Sequence, residues 1–401
     1  MLLSYCTNVH PAEDLDGVID QLVTYAAPVR EAAGLETLGV GLWMPAALAH
    51  QLDASAEDRA RLRAVLAEQR LQVHTLNAFP YGGFHRDVVK LDVYTPTWAE
   101  PERLAYTQAS ARVLADLLPE GVAGSISTLP LGWRTSWTAE DDDAAARALA
   151  TLSQDLKSLA ERTGRVVRLA IEPEPGCTLD DVEDVVAWLE ARTGGSADDG
   201  THRVDPDFIG VCLDTCHLAV SFADQRAGTA ATVRRITDAG LRVVKVQASA
   251  ALHVEDPGTA EARRAVDAFA ETRYVHQVRE LDAAGEVLKR DDLPQALGGA
   301  ASPADARLDA SPLPARGPWR VHFHVPLHHE PVAPLAATTD VLRDAVAAVR
   351  AAPHGDEAHL DIETYTWSVL PDATESLAQG IAAELRWARA NLLSDQKETT
   401  P

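Results

Sequence analysis

The sequence predicts an α/β fold, a (β/α)8 TIM-type barrel with one long insertion on its catalytic face. Three observations point there. Short apolar, β-branched runs alternate with longer Ala/Leu/Arg/Glu-rich stretches along the 401 residues, the pattern of parallel strands joined by crossover helices. The number of such units is close to the eight that close a barrel. Carboxylate and amide side chains fall at the ends of several runs, and in a parallel barrel those ends open on one mouth.

Taken in order, the strand-like runs are Leu2–His10, Glu36–Met44, Leu71–Phe79, Gly124–Thr128, Val166–Glu174, Phe208–Asp214, Arg242–Ser249, Trp319–Leu327 and His359–Tyr365. Between most of them the period is helical, over Leu104–Leu118, Asp142–Thr163, Leu179–Arg192, Gly228–Ala239, Thr339–Ala351 and Ala373–Leu393. This is one run more than a barrel takes, and either Arg242–Ser249 or Trp319–Leu327 is the seventh barrel strand. Between them lies Ala250–Gly317, far longer than an ordinary strand-to-helix connection. Inside it "RYVHQVRELDAAGEVLKRDD" reads as a hairpin turning at "DAAG", followed by an irregular connection. The expected organisation is a single domain over 1–392, an insertion at about 250–318, and a polar, disordered tail over 393–401.

Composition narrows the function. A hydrophobic share of 46% with 24% charged residues is a globular profile. A net charge of −24 repels phosphate backbones, so nucleic acid is not the expected partner. No segment reaches the ~20 apolar residues of a membrane span, and the N-terminus lacks the basic, apolar build of a signal peptide. Cys6, Cys177, Cys212 and Cys216 include no C-x-x-C pair; free buried thiols in a reducing cytoplasm are expected.

The chemistry is written at the strand ends. "AIEPEPG" ends in Glu172 and Glu174, "GVCLD" in Asp214, "VVKVQAS" in Gln247, and "LDIETYTW" carries Glu363. Glu174 follows Pro173 and is expected to point away, leaving Glu172 as the ligand. Carboxylates gathered in a low-dielectric mouth repel one another, and a divalent cation relieves that. Three carboxylates and an amide oxygen form an all-oxygen set suited to Mn²⁺ or Mg²⁺; one Mn²⁺, Mg²⁺ or Zn²⁺ held by Glu172, Asp214, Gln247 and Glu363 is expected. Asp214 also reads as the N-cap of the helix that follows it. His10, His74, Asn77, His217, His322 and His324 are expected around a small-molecule substrate, the last two sharing one strand face. His328 and His329 read as surface residues. Trp133, Trp137 and Trp367 are candidate pocket walls.

The motifs "AIEPEPG", "CLDTCHLAVSF", "VKVQAS" and "DIETYTW", in this order, resemble the xylose-isomerase-like barrels of the sugar isomerase/epimerase superfamily. That resemblance implies one divalent metal on Glu172, Asp214, Gln247 and Glu363, and a substrate contact for His217. Over nearly the whole chain, "SYCTNVHPAEDLD", "NAFPYGGFH", "VYTPTW", "GSISTLPLGW" and "VHFHVPLH" are similar to EboE-type metabolite traffic proteins, which implies other proteins of that pathway as partners. Three functions follow as expectations. The first is an isomerase or epimerase of a small hydroxy-carbonyl compound, with Glu172 and Glu363 relaying a proton. The alternatives are a metal-dependent phosphoester hydrolase of the endonuclease IV type and a non-catalytic metabolite carrier.

Overall fold

The computed structural model describes residues 1–193, 202–299, 311–371 and 375–394. Thirteen strands occur among them: β1 (Leu2–Cys6), β2 (Leu38–Trp43), β3 (Leu71–Asn77), β4 (Gly124–Thr128), β5 (Val167–Ile171), β6 (Ile209–Asp214), β7 (Val243–Ala248), β8 (Leu252–Val254), β9 (Val278–Leu281), β10 (Val287–Arg290), β11 (Trp319–Val321), β12 (Leu335–Ala337) and β13 (His359–Ile362). The first seven and β13 form a closed parallel barrel in the order β1-β13-β7-β6-β5-β4-β3-β2. The eighth barrel strand is thus β13, and Arg242–Ser249 supplies the seventh. Trp319–Leu327 is not a barrel strand: only Trp319–Val321 is extended, and it pairs antiparallel with β8 and β9.

That pairing belongs to a second, five-stranded sheet in the order β10-β9-β11-β8-β12. The β9–β10 hairpin turns at Asp282–Glu286, within the "DAAG" turn expected from sequence. Because β12 ends at Ala337, this sheet extends past residue 318, up to the helix Thr339–Ala351. It has its own core of Leu252, Val278, Trp319, Val321 and Phe323. Ion pairs fasten it over the barrel mouth: the buried pair of Lys90 Nζ and Asp292 Oδ2 at 2.6 Å, the pair of exposed Arg134 with Asp291, and Arg279 to Asp180 at 3.1 Å. Much of the irregular connection (300–310), the start of the last helical run (373–374) and nearly all of the tail (395–401) lie outside the described residues. Among the described helices, none is long and apolar enough to cross a membrane.

Local chemistry sets the barrel's ends. The helix Ala139–Thr163 starts with a reciprocal capping box of Thr138 and Asp141 and stops at left-handed Gly164. Inside the barrel, β2 passes so close to its neighbours that a Cβ on Gly39 would lie 2.2 Å from the Leu3 carbonyl, and one on Gly41 would lie 2.2 Å from the Asp361 carboxylate. Glycine there makes room for a buried polar layer. Lys245 Nζ contacts Asp361 Oδ2 at 2.9 Å, and Ser4 Oγ donates to Asp361 Oδ1 at 2.6 Å. The site stands on this layer.

Candidate metal centre and active site

The ladder of the barrel runs one rung past β5 and β13, and this sets the site. Glu172 N donates to the Thr128 carbonyl at 3.0 Å, and Glu363 N donates to the Ala248 carbonyl at 3.1 Å. Both carboxylates are therefore held by sheet backbone at the mouth. Asp214, the last residue of β6, lies in register with Gln247 of β7. One carboxylate oxygen from each of Glu172, Asp214 and Glu363 lies within 4.8 Å of the other two.

Asp214 serves two purposes. Its Oδ1 accepts from His217 N at 2.9 Å and from Ser249 Oγ at 2.8 Å, capping the helix Thr215–Val220. Its Oδ2 is buried without a hydrogen-bond partner. Glu172 Oε2 and both side-chain polar atoms of Gln247 are buried and unpartnered as well. Orphaned acceptors that cluster at one point carry a large desolvation cost; a divalent cation among Glu172, Asp214 and Glu363 would remove it, so these carboxylates fit such an ion. Glu363 Oε1 accepts from both Asn8 Nδ2 and Asn77 Nδ2, each at 2.7 Å.

Burial and mutual repulsion together perturb the set. Burial, then Glu363 and Asp214, push the Glu172 carboxyl well above its ordinary range. Burial, then Asp214, push Glu363 up to about 8. Burial lowers His217, but Asp214 and Glu174 more than reverse this and leave it raised. Burial holds His324 down at about 4 and His322 well below the usual imidazole range.

A cavity opens above this floor. Its lining includes polar Asn8, Asn77, Glu172, Glu363, His217, His322 and His324 and apolar Phe79, Phe84, Val89, Val93 and Val275. Two of the histidines expected at the substrate are elsewhere. His10 does not line the cavity: the 3-10 turn Thr7–Val9 brings Asn8 into the mouth and leaves the His10 ring stacked on Tyr25, 4.6 Å between centroids. His74 sits deeper in the barrel against His359, 4.8 Å between centroids. The register between β2 and β3 shifts at this point, pairing Val40 with Val73 but Gly41 with Thr75. His74 is thus the extra residue of a bulge, which resets the strand alternation there. Trp133, Trp137 and Trp367 also lie outside the lining, where Tyr94, Tyr274 and Tyr365 stand instead.

Sequence reasoning missed Glu174 and Gln277. Glu174 points into the cavity, not away. Its Oε1 accepts from Tyr94 Oη at 2.7 Å, and its Oε2 lies 3.2 Å from His217 Nε2. The signal was available, since residues two apart on a strand share a face, and Glu172 and Glu174 have that spacing. Gln277 comes from the second sheet and had no legible signal. All four cysteines are buried and free.

A family model described as xylose isomerase-like TIM barrel matches residues 29–274. No curated protein sequence matches the chain. Among solved structures, a xylose isomerase domain protein from Alicyclobacillus acidocaldarius subsp. acidocaldarius is 14% identical, covers 98% of this chain and 98% of its own, and has a TM-score of 0.42. A structure of L-ribulose 3-epimerase is 13% identical over 99% of this chain and 100% of its own, with a TM-score of 0.43. The IOLI protein, solved with a zinc atom bound, is 13% identical over 62% and 73%, with a TM-score of 0.38.

Proposed function

The chain belongs to the xylose isomerase-like TIM barrel family, and from that premise we propose that it is a metal-dependent isomerase or epimerase of a small hydroxy-carbonyl metabolite. The carrying observation is the convergence of Glu172, Asp214 and Glu363 at one buried point, with unpartnered acceptors aimed into it. A bound Mn²⁺, Mg²⁺ or Zn²⁺ supplies Lewis acidity to adjacent substrate oxygens. The protein's residues do the rest. Glu172 and Glu363 approach the substrate carbon from separate strands, one removing and the other returning a proton. Asn8 and Asn77 fix Oε1 of Glu363, leaving Oε2 for proton transfer. His217, His322 and His324 face the substrate's oxygens. The apolar part of the lining favours a substrate with a carbon-rich portion, and it helps exclude water. The similarity of the sequence motifs to EboE-type proteins supports a metabolite traffic pathway as its setting.

The test is proton exchange. Incubation with a panel of keto-sugars and hydroxy-ketones, including members with an apolar tail, in D₂O is expected to place deuterium on the carbon next to the carbonyl. Glu363→Gln is expected to slow that exchange about 10²–10⁴-fold. Ligand binding without exchange would turn the reading to a carrier. A second reading, hydrolysis of a small phosphoester, draws on the three imidazoles at the rim; phosphate release without exchange would favour it.

A further inference from the structure

Phe84, Tyr274 and Tyr365 line the cavity and come from three separate elements. Phe84 lies on the loop after β3, Tyr274 on the segment inserted after β7, and Tyr365 opens the 3-10 turn Tyr365–Ser368 after β13. Their rings meet in one corner. Centroids are 5.0 Å apart for Phe84 and Tyr274, 5.0 Å for Tyr274 and Tyr365, and 5.6 Å for Phe84 and Tyr365, within the range of favourable aromatic pairs. Trp43, at the end of β2, backs the corner with its ring 6.1 Å from Phe84. Backbone bonds hold the parts together: Val89 N and Lys90 N both donate to the Arg273 carbonyl, at 2.8 and 2.9 Å. They tie the loop that carries Phe84 to the roof beside Tyr274. The Tyr365 ring also stands 4.7 Å from that of His324, so the corner adjoins the polar residues and one ligand can reach both.

Charge restricts the ligand further. Glu172, Glu174 and Glu363 line the same cavity, and Asp214 gathers with two of them at its floor. Lys90 is the one lysine or arginine among the described lining residues. Its ammonium is already engaged, by Asp292 Oδ2 at 2.6 Å and the Tyr274 carbonyl at 2.7 Å. His217 Nε2 is matched by Glu174 Oε2 at 3.2 Å. Helix N-termini are ready-made phosphate sites, but the first amides of the helix Thr215–Val220 are taken. Cys216 N donates to Ser249 Oγ and His217 N to Asp214 Oδ1, both at 2.9 Å. Four carboxylates outweigh a single divalent ion, so an anionic group on the ligand meets net repulsion and no free cation.

We propose that the roof completes an aromatic subsite of Phe84, Tyr274 and Tyr365, and that the ligand is an uncharged hydroxy-carbonyl compound bearing a ring, with no phosphate or carboxylate. The hydroxy-carbonyl part rests on the function proposed above; the ring and the absence of charge rest on this corner and on the charges around it. Because Tyr274 belongs to the inserted segment, the insertion selects the ligand as well as covering the mouth.

The experiment compares three compounds that share one hydroxy-ketone head: hydroxyacetone, 1-hydroxy-3-phenylpropan-2-one and dihydroxyacetone phosphate. Thermal-shift titrations of the full chain saturated with Mg²⁺ give their relative affinities. Burying the phenyl ring is expected to tighten binding about 10–100-fold over hydroxyacetone, and the phosphate to weaken it about 10-fold or more. Tyr274→Ala should remove most of the phenyl advantage. The ranking of the three compounds on the wild type decides by itself if that variant does not fold. A phosphate that binds best, a phenyl ring that adds nothing, a phenyl advantage untouched by Tyr274→Ala, or no binding by any of the three would overturn the proposal. The expected ranking without deuterium exchange in D₂O would count against the isomerase and leave the subsite standing. Exchange on hydroxyacetone with no gain from the ring would do the reverse.

Discussion

The carboxylate cluster should make the metal-free protein less stable as pH rises. Glu363 carries the clearest consequence. Its carboxyl sits at about 8 in the folded chain against an ordinary 4.5, chiefly through burial and then through Asp214. A group whose folded pKa is raised favours folding fully below the unfolded value, and that contribution is lost as pH climbs through the folded value. The window for Glu363 is therefore 4.5 to about 8. At 1.36 kcal/mol per pH unit the ionised group costs the folded state about 5 kcal/mol at the upper end. Part of that is shared with Glu172, which the same neighbours perturb.

Glu363→Gln removes the titration and keeps an acceptor for Asn8 and Asn77. Its amide nitrogen can also donate towards Glu172 and Asp214. In the metal-free state, wild type and variant should unfold alike near pH 4.5 and diverge as pH rises, the variant becoming more stable by several kcal/mol above pH 8. Comparing the two cancels every other titrating group. The assay is urea unfolding of chelator-treated protein from pH 5 to 9, repeated with saturating Mn²⁺, which should restore the wild type at high pH because a bound cation favours the ionised ligands. Parallel stability curves for the two metal-free proteins would refute the reasoning.

Three further outcomes are expected. Asp214→Ala should cost about 1 kcal/mol more stability than Asp214→Asn, because only the alanine removes the cap on the helix Thr215–Val220; circular dichroism melts of the metal-free variants measure this, and equal losses would mean that the cap contributes nothing. Lys245→Met leaves Asp361 as an unpaired charge in the barrel and should destabilise by about 3–5 kcal/mol, while Lys245→Met with Asp361→Leu should recover most of it; denaturant midpoints decide, and a neutral single variant would refute the pair's role. Burial first of all holds His10 at about 3, His74 at about 4 and His324 at about 4; with folded values depressed below 6.5, unfolding takes up protons as pH falls and stability declines by up to about 4 kcal/mol per pH unit across that range, which proton uptake on unfolding below pH 6 would measure.

The fold was legible because strand and helix periods differ and alternate cleanly. The seven barrel runs from Leu2 to Ser249 and the last at His359 all contain strands of the barrel. The excess run was misleading for a physical reason. Trp319–Leu327 has the β-branched, apolar look of a buried strand, and it is buried, but against β8 and β9 rather than in the barrel. Strand propensity reports a pleated, half-buried surface and not which sheet supplies it. The oxygen-rich floor was legible because strand ends share a mouth. His10 and His74 were not, since a 3-10 turn and a bulge each reset the direction of a side chain within a few residues. Gln277 was beyond reach: its role depends on a hairpin closing over the mouth, a contact that no local pattern encodes.

The inserted sheet changes what the barrel mouth can do. Without it, the strand ends present an acidic floor of Glu172, Asp214 and Glu363, together with Glu174, whose Oε1 partner Tyr94 comes from the 3-10 turn Lys90–Tyr94 after β3. The insertion adds Tyr274, Val275, His322 and His324 to the cavity wall and sets Gln277 against both Glu174 and His322. Its attachment is buried and charged. Lys90 reaches Asp292, whose other oxygen accepts from His276 N and Leu293 N. His276 in turn holds the His322 carbonyl through its Nδ1 at 2.8 Å. The anchor and the rim imidazole therefore lie on one hydrogen-bonded path, from the loop after β3 to the ring that faces His217. A roof attached only by apolar contact could slide over the mouth at little cost; buried pairs such as Lys90–Asp292 penalise any displacement that separates them.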